Sequence, residues 1–343
     1  MRWRRVAQAK RHWIAALCFG GIMSFSCGLA GAVGNSENIG ENDKALAERL
    51  VRLEVAGRLC SGVIYTSSVV LTAAHCIKPQ SGDAAEPGDA RIFLHSENYA
   101  NSYHPQSIMI HPSYGGTDWG HGLMDVHDIA ILFMQDTIGA ELKPLNFMQE
   151  LSFFDKVAIF GYGPETPSAT PKLGKVTMTA NIPRMQSTDP YWVRLIVIAK
   201  DVDEKRMTCG GDSGGPVFQA VVDLFGEPIS AEQYARDYGN PPTLLGLVSA
   251  GTGEDLCSAQ SRFVRTDLLG PWVVETAALH KRWVELQLAL NEAGCDAGPV
   301  DGVWGEKGYA ALERFSDATG ADVRTPSDYA LKMVLAAPKP ACT

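Results

Sequence analysis

Thr208-Cys209-Gly210-Gly211-Asp212-Ser213-Gly214-Gly215-Pro216 sets four glycines, an acid and a serine in nine consecutive residues. Glycine permits sharp turns and close approach of other groups. The stretch therefore reads either as a tight turn or as a serine held where its hydroxyl can attack a carbonyl. What else the chain contains separates the two. A serine hydroxyl is a weak nucleophile at neutral pH; it needs a base to take its proton and a carboxylate to orient that base.

The histidines are His12, His75, His95, His104, His111, His121, His127 and His280. His75 stands in Leu71-Thr72-Ala73-Ala74-His75-Cys76, at the end of the β-favouring run Gly62 to Leu71. Asp128 precedes Ile129-Ala130-Ile131-Leu132-Phe133, which reads as a buried strand. A carboxylate at the mouth of such a strand is costly unless a donor satisfies it, and an imidazole N–H is such a donor. Taken singly, His75 reads as a partly buried structural histidine and Asp128 as a strand-start acid, with Asp125 a more solvated neighbour. Gly211-Asp212-Ser213-Gly214-Gly215 also satisfies GxSxG, but the α/β-hydrolase elbow needs the order serine, acid, histidine. Only His280 follows Ser213, whereas His75, Asp128, Ser213 is a recorded triad order.

With 343 residues and 45% hydrophobic content, the chain can build one large core plus a small domain, or two cores. A formal net charge of -9 lacks the basic footprint of a nucleic-acid binder. Arg2, Arg4, Arg5, Lys10 and Arg11, then an apolar run from Trp13 to about Ala32 with Gly28-Leu29-Ala30 inside it, read as a signal peptide over 1–30. A retained anchor is the alternative, because the run approaches spanning length; no other stretch does. Cys60, Cys76, Cys209, Cys257, Cys295 and Cys342 remain, an even number without CxxC pairs or Cys/His clusters. Disulfides are expected rather than zinc, and six cysteines allow 15 pairings.

Short β-favouring runs recur at 59–70, 91–94, 107–110, 129–134, 156–160, 172–179, 192–198, 215–222 and 244–249, separated by turn-rich segments. The spacing predicts an antiparallel barrel or sandwich rather than alternating strand and helix. Residues 223–243 form a polar insertion, and 31–45 a Gly/Asn/Glu-rich lead-in. After Pro271 the pattern turns helical over 272–292, 306–317 and 326–335, around a glycine-rich centre at 294–305.

Thr-Ala-Ala-His75-Cys76, Asp128-Ile-Ala-Ile-Leu and Gly-Asp-Ser213-Gly-Gly-Pro, in that order, resemble the chymotrypsin/trypsin family of serine endopeptidases, as does His111-Pro112-Ser113-Tyr114. The resemblance covers roughly residues 45–275. It implies a mostly β fold: a double six-stranded antiparallel β-barrel with the site between the barrels, followed here by a small all-α C-terminal domain. It implies His75 as general base and then acid, Asp128 as its orienting carboxylate, Ser213 as nucleophile, and the N–H groups of Gly211 and Ser213 as oxyanion hole. Cys60–Cys76 and Cys209–Cys257 resemble two family disulfides, which leaves Cys295–Cys342 for the tail. Met207 stands at the base of the primary pocket, where an acid would select Lys or Arg, so a non-basic preference is expected. The resemblance further implies that Thr208 and Ser261 line that pocket and that Ser249, Ala250 and Gly251 form the wall that pairs with substrate backbone. The resemblance implies Asp212 as the acceptor for the ammonium that activating cleavage frees in this family, and with it an activating protease. Val33-Gly34 and Ile39-Gly40 are weak versions of the usual terminus. No metal or other cofactor is expected; Asp118, His121, Asp125 and His127 read as a solvated loop.

Asp301-Gly302-Val303-Trp304-Gly305 with the flanking apolar segments resembles the small three-helix peptidoglycan-binding domain of bacterial cell-wall enzymes. It implies Asp301, Trp304 and Tyr309 as candidate glycan contacts, with peptidoglycan as a candidate partner beside the protein or peptide substrate; Trp304 reads first as an anchor of the short core. The expected organisation is a signal peptide (1–30), a protease domain (31–275) and a tail domain (276–343). The expected function is a secreted or periplasmic endopeptidase held at the cell wall or envelope, without a stable transmembrane anchor. The alternative is a catalytically silent scaffold of the same fold.

Overall fold

The computed structural model describes residues 39, 43–79, 82–115, 127–138, 142, 144–147, 156–164, 170–181, 196–200, 207–220, 243–251 and 257–342. The expected leader, Val33-Gly34, Asp118, His121, Asp125 and all but the last residue of the polar insertion lie outside them.

Strands β1 (Leu50–Val55), β2 (Arg58–Thr66), β3 (Val69–Thr72), β4 (Ala90–Leu94), β5 (Ser102–Tyr103), β6 (Pro105–Ile110) and β7 (Ala130–Met134) form one sheet in the order β5-β4-β1-β2-β3-β7-β6. All its pairings are antiparallel. β5 and β6 stand at opposite edges of this sheet, yet only His104 separates them in the chain. The sheet must therefore curl until its edges meet, as a barrel does. Helices α1 (Lys44–Ala47) and α2 (Ala74–Ile77) flank it.

The second sheet is built from β8 (Asn146–Phe147), β9 (Lys156–Gly161), β10 (Gly174–Asn181), β11 (Ile196–Lys200), β13 (Pro216–Gln219), β14 (Thr243–Gly251) and β16 (Gln260–Arg265). β13 pairs with both β9 and β14, which closes the six-stranded ring β9-β10-β11-β16-β14-β13. β8 adds to β14 in parallel, while β12 (Thr208–Cys209) and β15 (Cys257–Ser258) make a separate two-stranded pair. The fold is thus mostly β, with two barrels of the chymotrypsin-like kind.

Residue period explains how the barrels meet. On β1, Val51, Leu53 and Val55 fill the first barrel while Arg52 and Glu54 point away, a half-buried strand of period two. β3 and β7 are instead buried at every position. On β2, Val63 belongs to a core between the barrels while its neighbour Ile64 belongs to the first barrel's interior. Continuous apolar strands are those with a core on both faces. The seam core joins Val63, Leu71 and Phe133 to Phe160, Phe218 and Leu247 of the second barrel. Each such fully buried side chain contributes about 1.5–3 kcal/mol.

Helix α3 (Thr266–Glu292) is one unbroken helix of 27 residues, about 40 Å long. Its first third places Leu269 and Val273 in the seam; its last third places Leu286, Ala289 and Leu290 in a separate core with α4 (Glu306–Thr319) and α5 (Asp328–Ala336). The boundary expected at 275/276 falls inside this helix, which begins six residues before the predicted Trp272 and carries Pro271 in its second turn. Gly320, at φ +75°, ends α4, and the Ser327 side chain caps α5.

Candidate active site

His75 sits on the four-residue helix α2, directly after β3. So short a helix has little stability of its own and is fastened from outside. Cys76 is disulfide-bonded to Cys60 on β2, and Arg58 donates through Nη2 to Cys76 O at 3.0 Å.

Asp128 is 0% exposed at the entry to β7. Its Oδ1 accepts the His75 backbone N–H at 2.8 Å, and its Oδ2 faces His75 Nδ1 at 2.7 Å. The Ser249 hydroxyl, from β14 of the other barrel, donates to the same Oδ2. An ionised carboxylate only accepts, so the contact places a proton on Nδ1; in the neutral ring this leaves Nε2 as the basic nitrogen. A buried acid without donors would be strongly destabilising; here three converge. Sequence reasoning put Ser249 on the substrate wall and gave no sign of its hydroxyl's partner. Arg58 was also missed, since no spacing links it to the carbonyl it meets.

Ser213 lies in a loop held from both barrels. Its carbonyl accepts the N–H of Ser61 from β2 at 2.8 Å, and Gly214 N donates to Val248 O at 2.7 Å. Gly214 adopts φ +80°, and a Cβ there would collide with Thr72 Oγ1 and the Ser61 carbonyl. Gly211 adopts φ +104°, with Leu59 Cδ2 2.9 Å from where its Cβ would be. A cleft of about 380 Å³ is lined by His75, Ser213, Gly210, Gly211, Leu59 and Pro164 among others. The structure thus brings His75 and Ser213 to one cleft and hydrogen-bonds Asp128 to the former.

Asp212 is also 0% exposed. Its Oδ1 accepts Gly163 N at 2.7 Å and its Oδ2 accepts Cys209 N at 2.6 Å. Burial pushes its carboxyl up to about 7, against the pull of those two donors.

Cys209, on β12, is bonded to Cys257 of β15, and Cys295 to Cys342 in the tail. Met207 is half-buried beside β12; Thr208 and Ser261 are buried, and among the described residues neither hydroxyl has a hydrogen-bond partner. Ser261 on β16 lies opposite Gly251, and Ala250 precedes Gly251 on β14. Sγ of Cys60 and Cys76 lies near the His75 ring, but disulfide sulfurs are not the thiolates that ligate metals.

In the tail, the Asp301 carboxylate accepts Gln287 Nε2 at 3.0 Å and Val303 N at 2.9 Å, and its carbonyl faces His280 Nε2 at 2.9 Å. Trp304 packs against the tail core edge-on to Tyr309, at 6.1 Å between rings. Tyr309 is half exposed.

With this geometry in view, relatives can be placed. The family profile described as Trypsin matches residues 39–273. The chain is 27% identical over 208 residues to chymotrypsin-like elastase family member 1 of Rattus norvegicus, covering 56% of this chain and 75% of that protein. It is 28% identical over 169 residues to human (Homo sapiens) kallikrein-8, covering 46% and 62%. Against the atrial natriuretic peptide-converting enzyme of Rattus norvegicus it is 24% identical over 254 residues, covering 69% of this chain and 19% of that protein. The chain belongs to the trypsin family of serine proteases, and its relatives support a peptidase function.

Proposed function

We propose that the chain is an exported serine endopeptidase that cleaves peptide bonds through an acyl-enzyme on Ser213. The supporting observation is the Asp128 carboxylate, which takes both the backbone N–H and Nδ1 of His75 and so reserves Nε2 for a proton from outside the pair. Nε2 takes the Ser213 hydroxyl proton as Oγ attacks the scissile carbonyl. The N–H groups of Gly211 and Ser213 receive the oxyanion. The imidazolium, stabilised by Asp128, returns the proton to the leaving amine, and water repeats the sequence to release the acid. Losing one oxyanion donor in such sites costs about 3 kcal/mol of transition-state stabilisation.

Met207 offers no charge to a Lys or Arg side chain, and the unpartnered Thr208 and Ser261 hydroxyls suit an uncharged side chain of small to medium size. Asp212 is read as the acceptor for an ammonium freed by an activating protease: a carboxyl that burial holds up to about 7 gains most from a cation. The three disulfides are consistent with an oxidising, extracytoplasmic setting. Among the described residues no helix is long and apolar enough to cross a membrane. The tail domain is assigned to the cell wall or envelope, with Tyr309 its most accessible candidate contact.

An organophosphonate added to the processed protein should attach one group, lost in Ser213→Ala. No Ser213-dependent mass increase under any processing condition would instead establish the silent scaffold. A peptide library varied at the residue before the cut should show uncharged side chains preferred over Lys and Arg. Retention of the full-length chain on purified sacculi should fall when Tyr309 is replaced by alanine.

A further inference from the structure

Ser61 follows the disulfide-bonded Cys60 on β2 and is 1% exposed. Its hydroxyl faces Gly211 O at 2.7 Å and Tyr162 N at 3.0 Å. The second partner decides the roles. A backbone N–H only donates, so the hydroxyl oxygen accepts from Tyr162, and its own proton goes to the Gly211 carbonyl. The Ser61 N–H meanwhile donates to Ser213 O at 2.8 Å, and its carbonyl accepts Thr72 Oγ1 at 2.8 Å. One residue of the first barrel thus holds the carbonyls of both residues whose N–H groups are assigned to the oxyanion.

Gly211 is where such a hold matters. At φ +104° and without a Cβ, its peptide planes are little restricted by local sterics. The segment is also fastened elsewhere: Cys209 by its disulfide, Asp212 through its side chain, Ser213 through its carbonyl, and the N–H end of the Gly211–Asp212 peptide through Asp212 N to Cys209 O at 3.0 Å. The Ser61 hydroxyl holds the carbonyl end of that same peptide, and it does so from the opposite barrel, so the plane is gripped at both ends. The Tyr162 N–H sets the hydroxyl's direction from the end of β9, so three segments meet in one O–H group.

We propose that Ser61 is a positioning residue for the oxyanion-binding backbone: its hydroxyl fixes the Gly211–Asp212 peptide, and so, through the Gly211 Cα that the two planes share, the direction in which the N–H of the preceding Gly210–Gly211 peptide points at the developing charge. This rests on the protease reading above. Ser61→Ala removes one atom and introduces none, so the seam keeps its packing. In the processed full-length enzyme it should lower kcat on a peptide amide at least about 10-fold with KM little changed, a fraction of the loss from deleting an oxyanion donor outright. Affinity for a peptide aldehyde, whose adduct carries the tetrahedral oxygen, should fall by the same factor. Affinity for the matching product peptide, which has no such oxygen, should hold, as should the shape of the pH–activity profile. Equal losses for aldehyde and product peptide would mean general damage to the cleft and overturn the proposal, as would unchanged kcat. Absence of Ser213 labelling in the unsubstituted protein would overturn the protease reading and this inference with it. Labelling and turnover in the parent, undiminished in Ser61→Ala, would overturn this inference alone.

Discussion

Asp212→Asn offers a quantitative test of the buried carboxyl beside Ser213. Burial raises the folded-state value from 3.8 to about 7. The folded protein therefore keeps a proton on Asp212 over a range in which the unfolded chain has released it. Its contribution to stability falls as pH rises from about 4 through 7 and is level above. Three units correspond to about 4 kcal/mol in all, of which about 3 kcal/mol lies between pH 5 and 8. The asparagine does not ionise, but its NH2 must face either Gly163 N or Cys209 N, both of which now donate to the carboxylate. One buried N–H loses its acceptor, at about 1–3 kcal/mol independent of pH. Urea unfolding in a Ser213→Ala background, which prevents self-digestion, would be compared for parent and variant at pH 5, 6, 7 and 8; the difference cancels groups that titrate alike in both. The variant should gain about 3 kcal/mol on its parent between pH 5 and pH 8. A difference constant across the range would refute the reasoning. In a processed chain whose new ammonium neutralises Asp212, the pH-dependent part should shrink, which ties the measurement to activation.

Asp128→Asn should keep the fold and lower kcat about 10⁴-fold, because the amide stabilises the wrong imidazole tautomer; steady-state kinetics beside circular dichroism checks both parts. Gly214→Ala should prevent native packing of the Ser213 loop, since its Cβ meets Thr72 and the Ser61 carbonyl and its φ of +80° disfavours alanine; soluble yield and labelling at Ser213 should both fall sharply. Replacing Cys295 and Cys342 by serine opens a loop of sequence separation 47 and should cost the tail about 4 kcal/mol. Limited proteolysis should then cut within 293–342 first.

The three motif boxes were legible because each is local: a histidine after an apolar strand, an acid before one, a serine among glycines. Chain order did the rest. The strand runs survived except where folding set breaks that composition hides. The run 59–70 is two strands, β2 and β3, turned at Ser67-Ser68. β1 went unread because Leu, Arg and Glu favour helix locally, and only its antiparallel pairing to β2 and β4 overrides that preference. β16 likewise depends on partners, β11 and β14, brought from elsewhere in the chain. The same holds at the site. Ser249 and Asp128 stand 121 residues apart, and Ser61 and Gly211 stand 150 apart. Those contacts belong to the closing of two barrels on each other, and no spacing rule encodes them.

The tail shows the same physics at larger scale. His280 of α3 shares its Nε2–H between the Asp301 carbonyl at 2.9 Å and Ser107 Oγ of β6 at 3.0 Å, and its ring stacks on Phe133 of β7. Gly302 adopts φ +69°, and a Cβ there would strike the His280 ring. Burial lowers the His280 pKa, which favours the neutral ring that this joint uses. The Asp-Gly turn that marks the tail in the sequence is therefore also the piece that fits against the first barrel. β7 begins two residues after Asp128, so the tail and the carboxylate that meets His75 bear on a common strand. A ligand of the tail must then engage surface that this joint leaves open, such as Tyr309 and Tyr329, both at least half exposed.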